Sequence, residues 1–110
     1  EAAQCAHEQG KFWEYHDKLF ANQQALYTDS LKKYAKEVGL DFGIVGSAFN
    51  KCLDSGKYTK EVSDDLSAAT SAGGQGTPYF VIVNNKNGKT SPVSGAVPFA
   101  QIEAAIKAVQ

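Results

Sequence analysis

The stretch Gly73-Gly74-Gln75-Gly76-Thr77-Pro78-Tyr79-Phe80-Val81-Ile82-Val83 does most to limit what this chain can fold into. A glycine-rich loop runs into a Thr-Pro pair, and the pair opens a strand. Tyr79 to Val83 is a continuous apolar run rich in β-branched and aromatic residues, the composition of a strand covered on both faces. Pro78 has no N–H to give a ladder, so its natural place is the first residue of that strand. Such a strand needs neighbours, because every backbone donor and acceptor withdrawn from water needs a partner.

Before this loop the sequence reads as helix. Glu1 to about Gln9 is alanine-rich, and Gly10 ends it. Phe12, Tyr15, His16, Leu19, Phe20 and Gln23 then share one face of a helix that starts at Lys11; this aromatic stripe, flanked by Trp13, reads as core. Thr28-Asp29-Ser30 offer capping oxygens to a helix whose apolar face is Leu31, Tyr34, Ala35 and Val38, and Gly39 stops it. Asp41 can cap the next helix, with Phe42, Val45, Phe49, Cys52 and Leu53 inward. Gly43 and Gly46 weaken its first turn, and Gly56 ends it. A further helix has Tyr58, Val62, Leu66 and Ala69 on one side, with Lys57, Lys60, Glu61, Asp64 and Asp65 toward solvent.

After the loop, Asn87-Gly88 is a strong hairpin signal. The return strand, about Thr90 to Ser94, contains Pro92 and so belongs at a sheet edge. Pro98 opens a closing helix with Phe99, Ile102, Ile106 and Val109 inward. The expected fold class is therefore α+β: mostly helical, then a β-hairpin and a C-terminal helix. The Pro92 strand fills one flank of Tyr79–Val83, and the other flank wants a strand that these residues do not supply. Glu1 to Ala6 already reads as helix interior, with no initiator Met. Both features lead to the expectation of a piece of a longer protein.

Composition excludes several function classes. The chain has 110 residues, room for one small core. A net charge of −1 with no basic patch argues against a nucleic-acid partner. The longest apolar run is far short of a membrane span, and no secretory leader is evident. Cys5 and Cys52 form no Cys-x-x-Cys and make one bridge or none, which spacing cannot decide. His7, His16 and Cys5 are metal-ligand types. His7 and Cys5 point to different sides of a helix, and His16 sits on the aromatic face, so no metal and no cofactor are expected.

Three motifs, in order, carry a resemblance. Ala2-Ala3-Gln4-Cys5-Ala6-His7-Glu8-Gln9-Gly10-Lys11-Phe12-Trp13-Glu14-Tyr15-His16-Asp17 resembles the start of the helical insert of DsbA-like thiol-disulfide oxidoreductases. Cys52-Leu53-Asp54-Ser55-Gly56-Lys57-Tyr58 resembles its later part. Gly76-Thr77-Pro78-Tyr79-Phe80 with Ser94-Gly95-Ala96-Val97-Pro98-Phe99 resembles the family's closing hairpin and helix. The resemblance implies an incomplete thioredoxin-like fold, with residues 1–72 as helical insert and 73–110 as the closing loop, hairpin and helix.

It further implies that Thr77 and Pro78 form a cis-proline loop that binds substrate, the residue before the proline offering its backbone to an extended segment. The reactive Cys-x-x-Cys, with its first thiol acidified at a helix N-terminus, belongs to a part absent from these residues. The chain alone is then expected to have no catalytic residue and no dithiol turnover. Cys5 and Cys52 lie in matching motifs and are candidates for a structural disulfide, the alternative being two separate buried thiols. The family usually has a larger apolar residue where Gly74 stands, which leads to the expectation of a looser loop. Implied partners are cysteine-bearing substrate proteins and a redox partner protein, in the periplasm or another extracytoplasmic compartment. Two other readings are a non-enzymatic interaction domain that pairs the open strand flank as a homodimer, and glutathione-linked isomerase or transferase chemistry on the same fold.

Overall fold

A computed structural model describes residues 1–40 and 48–110. The chain order is α1 (Ala2–His7), α2 (Phe12–Phe20), α3 (Thr28–Glu37), α4 (Ala48–Asp54), α5 (Thr59–Ser71), β1 (Tyr79–Val83), β2 (Thr90–Ser94) and α6 (Phe99–Val109). Among the described residues the fold is α+β: six helices, the last of them following a two-stranded antiparallel hairpin. The residues divide into two compact units, Glu1–Ser63 and Asp64–Gln110, and the division falls inside α5.

The first unit is built around Tyr15 and Phe49, both fully buried with ring centroids 5.1 Å apart. Ala2, Cys5 and Ala6 supply the buried face of α1. Their small size lets this helix lie close to its neighbours, but it buries little area. A six-residue helix is too short to hold its shape alone. Tertiary fastenings substitute for length. Cys5 is joined by a disulfide to Cys52 of α4. Glu8 accepts a hydrogen bond from the Tyr58 hydroxyl at 2.7 Å and another from the Lys57 ammonium. The Thr59 hydroxyl donates to Glu1 at 2.9 Å, and the Gln4 amide donates to Glu61 at 3.1 Å.

The aromatic stripe of α2 is core only at its centre. Tyr15 is fully buried and its hydroxyl donates to the Leu31 carbonyl at 2.9 Å; burial, with Tyr34 nearby, pushes its phenol upward in pKa. Leu19 packs beside this core, whereas Phe12 and His16 are half-buried and Phe20 is 63% exposed. The outer rings instead contact one another along the helix: Phe12 with Trp13 at 5.1 Å, Trp13 with His16 at 5.3 Å, and His16 with Phe20 at 4.6 Å. The alanines and cysteine of α1 make too small a surface to cover a wide stripe. Gln23 lies beyond this helix, which stops at Phe20.

Two capping expectations change. The N-cap of α3 is Tyr27, in extended conformation, and no side chain caps it. Thr28 is already the first helical residue, one position too late to cap. The expected start of the following helix, with Asp41 as cap, Phe42 and Val45 inward and Gly43 and Gly46, lies outside the described residues. Within the described residues α4 is Ala48–Asp54, with Phe49 and Cys52 buried. α3 is closed by Gly39, whose φ of 82° lies in the left-handed region that favours glycine. α5 has no buried residue; Val62 and Leu66, expected to face inward, are 38% and 69% exposed.

In the second unit β1 and β2 pair antiparallel, with Tyr79 opposite Ser94, Val81 opposite Pro92 and Val83 opposite Thr90. α6 packs on both strands, and the lower exposure of Ile82, Ser91 and Val93 marks the face it covers. The contact line on α6 runs through Ile102, Ala105 and Val109, not through Phe99 and Ile106, which are 75% and 39% exposed. Those two lie at the edge of the apolar stripe, and a two-stranded hairpin is too narrow to reach them. Cover on both faces of β1 is likewise not found: Phe80, Val81 and Val83 are 44%, 43% and 49% exposed.

Two outcomes follow from the first unit. Truncating Phe49→Ala should cost about 3–5 kcal/mol in urea unfolding, because the alanines around the cavity cannot move in to fill it. Glu8 is one of the carboxylates, with Glu14 and Glu37, whose lowered pKa adds to acid sensitivity. The hydrogen bond from Lys57, then that from Tyr58, holds its carboxyl below its ordinary value of 4.5. A depressed carboxylate contributes stability above its unfolded-state value and loses it as pH falls through the folded one. Thermal unfolding should therefore depend more steeply on pH below 4.5 in the native protein than in Glu8→Gln, and identical profiles would remove Glu8 from this role.

Candidate functional site: the Thr77–Pro78 edge of the hairpin

The loop between α5 and β1 is fixed from below by one tyrosine. The last turn of α5 closes with the Gly73 N–H on the Thr70 carbonyl and the Gly74 N–H on the Ala69 carbonyl, both at 2.9 Å. The Tyr79 hydroxyl donates to the Ala72 carbonyl at 2.7 Å, so a residue of β1 reaches back to the end of the helix before it. Its ring fills the space beside Gly74. A Cβ there would stand 3.1 Å from Tyr79 Cδ1 and 3.0 Å from the Ala69 oxygen. Gly73 and Gly74 thus both stand where a side chain would meet Tyr79, so the absence of a Cβ makes room for this ring and its hydroxyl.

Beyond this anchor Thr77 and Pro78 are exposed, and the peptide bond between them is cis. The Pro78 carbonyl accepts from the Gly95 N–H at 2.8 Å, which ties the start of β1 to the end of β2. That bond also sets the phase of the ladder. At the other end the Asn84 N–H donates to the Lys89 carbonyl at 2.9 Å. In an antiparallel pair, hydrogen-bonded and non-hydrogen-bonded positions alternate. Pro78, Phe80, Ile82 and Asn84 therefore point their backbone groups at β2. Tyr79, Val81 and Val83 point theirs the other way, at an edge with no strand beside it among the described residues. Pro92 stands opposite Val81, a position that needs no N–H from β2, which is why the ladder tolerates it.

A groove of about 470 Å³ opens beside this edge, lined by Leu66, Ala69, Gly74, Thr77 and Tyr79 among others. It carries no carboxylate, ammonium or imidazole. The arrangement offers unpaired backbone donors and acceptors next to an apolar wall. The hydroxyls in its lining are those of Thr70, Thr77 and Tyr79.

The other predicted residues lie in the first unit. Cys5 and Cys52 are buried, at 1% and 7% exposure, and bonded to each other, so the chain has no free thiol. His7 and His16 both lie beside Phe12, at 6.0 and 6.1 Å between rings. No group of three or more metal-ligand side chains occurs among the described residues. Sequence reasoning missed Tyr79 as the anchor of the loop, and missed the groove wall from Leu66 and Ala69. The signal for the first was an aromatic residue just after a glycine pair. For the second it was the apolar side of α5, on which Leu66 and Ala69 already stood; the wall itself depends on how the loop folds back along the helix.

Comparison with known proteins gives this geometry a family. Residues 1–107 match the family described as the DSBA-like thioredoxin domain. The chain is 37% identical over 82 residues to Na(+)/H(+) antiporter NhaA 3 of Salinispora tropica and 37% identical over 81 residues to Na(+)/H(+) antiporter NhaA of Herminiimonas arsenicoxydans. Each alignment covers 74% of this chain and 12% of the relative, so the chain spans only a small part of the length of these proteins. No solved structure matches it. No described helix is long and apolar enough to cross a membrane. With the family match running through nearly every residue, the chain belongs to the DsbA-like thioredoxin-domain family.

Proposed function

We propose that this chain is the substrate-binding portion of a DsbA-like thiol-disulfide oxidoreductase acting in an extracytoplasmic compartment. Residues 1–72 serve as its helical insert and residues 73–110 as its closing loop, hairpin and helix. The reactive dithiol comes from residues outside these 110, since Cys5 and Cys52 are buried and spent on each other. The observation that carries the reading is the outer edge of β1, unpaired among the described residues and entered through exposed Thr77 and Pro78. A substrate segment adds there as a short strand: its backbone meets the free groups around Thr77, and side chains beside its cysteine rest on the apolar groove. Ion transport is not carried over from the antiporters, of which the aligned part is 12%.

The same open edge supports a second reading, in which another copy of the chain supplies the missing strand. Size-exclusion chromatography over a range of concentrations separates the two, because strand exchange makes a dimer whose fraction rises with concentration.

The edge itself is tested with a cysteine-containing peptide and the protein that carries this domain. Thr77→Pro removes one backbone donor and should weaken peptide binding roughly threefold to tenfold, the worth of about one net hydrogen bond. Unchanged binding would place the substrate elsewhere. Replacing Cys5 and Cys52 together by alanine should lower unfolding stability by about 2–4 kcal/mol, as loss of a cross-link over a long loop does, and should leave peptide binding intact. Loss of exchange activity in a correctly folded double variant would mean that these cysteines react.

A further inference from the structure

The hairpin turn does more than reverse the chain. Two asparagine side chains reach from it to the end of α6: the Asn84 amide donates to the Val109 carbonyl at 2.8 Å, and the Asn87 amide donates to the same oxygen at 3.2 Å. Val109 is the last residue of α6, so its carbonyl is one of the orphan acceptors at a helix C-terminus. Each asparagine is held at its other end as well. The Asn84 side-chain oxygen accepts from the Lys86 N–H and the Asn87 side-chain oxygen from the Lys89 N–H, both at 2.9 Å. The Gly88 N–H donates to the Asn84 carbonyl at 2.8 Å.

This clasp encloses the only Asn-Gly pair in the chain. Asn-Gly is the dipeptide most prone to deamidation, because a glycine puts no side chain in the way of its own nitrogen. The Gly88 nitrogen, once deprotonated, forms a bond to Cγ of Asn87. The Cγ–Nδ2 bond breaks, and ammonia leaves with the proton. Solvent water then opens the succinimide to aspartate or isoaspartate, with no oxidation or reduction. In the closed turn neither partner is free for this step. The Gly88 N–H is committed to Asn84, and both ends of the Asn87 amide are committed to Val109 and Lys89.

We propose that Asn87 is a modification site gated by this clasp: it is spared while the turn is closed, deamidates when the turn opens, and cannot close again afterwards. A carboxylate has no N–H for Val109 and would set a negative oxygen against a carbonyl oxygen. Isoaspartate also lengthens the backbone inside a tight turn. Either product frees the last turn of α6, the helix that covers one face of β1. The modification is a one-way record of how often the hairpin has opened.

The test is incubation at mildly alkaline pH, followed by peptide mapping that resolves amide, aspartate and isoaspartate at each asparagine. In the folded protein conversion should be confined to Asn87, with Asn22, Asn50, Asn84 and Asn85 as internal controls. It should run roughly tenfold or more slower than in the same chain in concentrated urea, since it waits on a local opening. Asn84→Asp keeps the acceptor for Lys86 but removes one donor to Val109, and should speed conversion of Asn87. Asn87→Asp should lose hydrogen-exchange protection in the last turn of α6. Equal rates in folded and unfolded chains, an unchanged rate in Asn84→Asp, or intact protection in Asn87→Asp would each overturn the gate; absence of conversion in urea would overturn the site itself.

Discussion

A strand has two edges, and among the described residues β1 meets its hydrogen-bonding demand on one of them. The phase of the ladder follows from the bond between the Gly95 N–H and the Pro78 carbonyl. It assigns Phe80 and Ile82 to β2 and leaves the backbone groups of Tyr79, Val81 and Val83 facing outward. Several features depend on that phase. Pro92 is harmless because it stands where β2 owes no donor. Thr77 and Pro78 lead into the same strand, with the Pro78 carbonyl given to β2. A shift by one residue would turn Val93 out of its buried position and give Pro92 a bond that it cannot make. The same register thus serves packing and leaves an edge available to another chain segment.

The first unit solves a different problem, how to hold a short helix with small side chains. Alanine and cysteine allow α1 to come close but give it little apolar area. The disulfide at Cys5 and the polar contacts at Glu1, Gln4 and Glu8 run along nearly the whole helix, all to residues between Cys52 and Glu61. Single exposed ion pairs contribute little. The Glu8 group is better placed, since one carboxylate oxygen takes an ammonium and a phenol together, and the first of these holds the carboxyl charged.

Element types were legible in the sequence because they rest on local rules. Glycine stops, the Asn87-Gly88 turn and the β-branched run at Tyr79 act within a few residues, and the family resemblance came from motifs of the same short range. Facing directions were legible only in part. Tyr15, Phe49 and Cys52 went inside as the period of their helices requires. Phe20, Phe99, Val62 and Leu66 fit the same periods and stayed exposed. Periodicity identifies a stripe but not the width of what covers it: for Phe20 and Phe99 the covering surfaces are a helix of alanines and a two-stranded hairpin, and α5 has no buried residue at all. At the candidate site, Thr77 and Pro78 could be read from their motif. The roles of Tyr79, Gly74 and the α5 wall could not, because they depend on a loop folding back on its own helix.

That loop and the turn at the far end of the hairpin obey one constraint. Each helix of the second unit ends with carbonyls that have no intrahelical partner. Ala72, just past α5, gives its oxygen to the Tyr79 hydroxyl from the beginning of β1. Val109, at the end of α6, gives its oxygen to Asn84 and Asn87 from the turn that follows β1. The hairpin therefore supplies side-chain donors from both ends of one strand to two helix C-termini. Each donor is matched to its distance: a long rigid phenol spans the gap under a glycine loop, and two short amides suffice where turn and helix end meet. The arrangement fixes β1 lengthwise without using its outer edge. A strand held this way can leave its outer donors and acceptors open and still keep its register, which is what a binding edge requires.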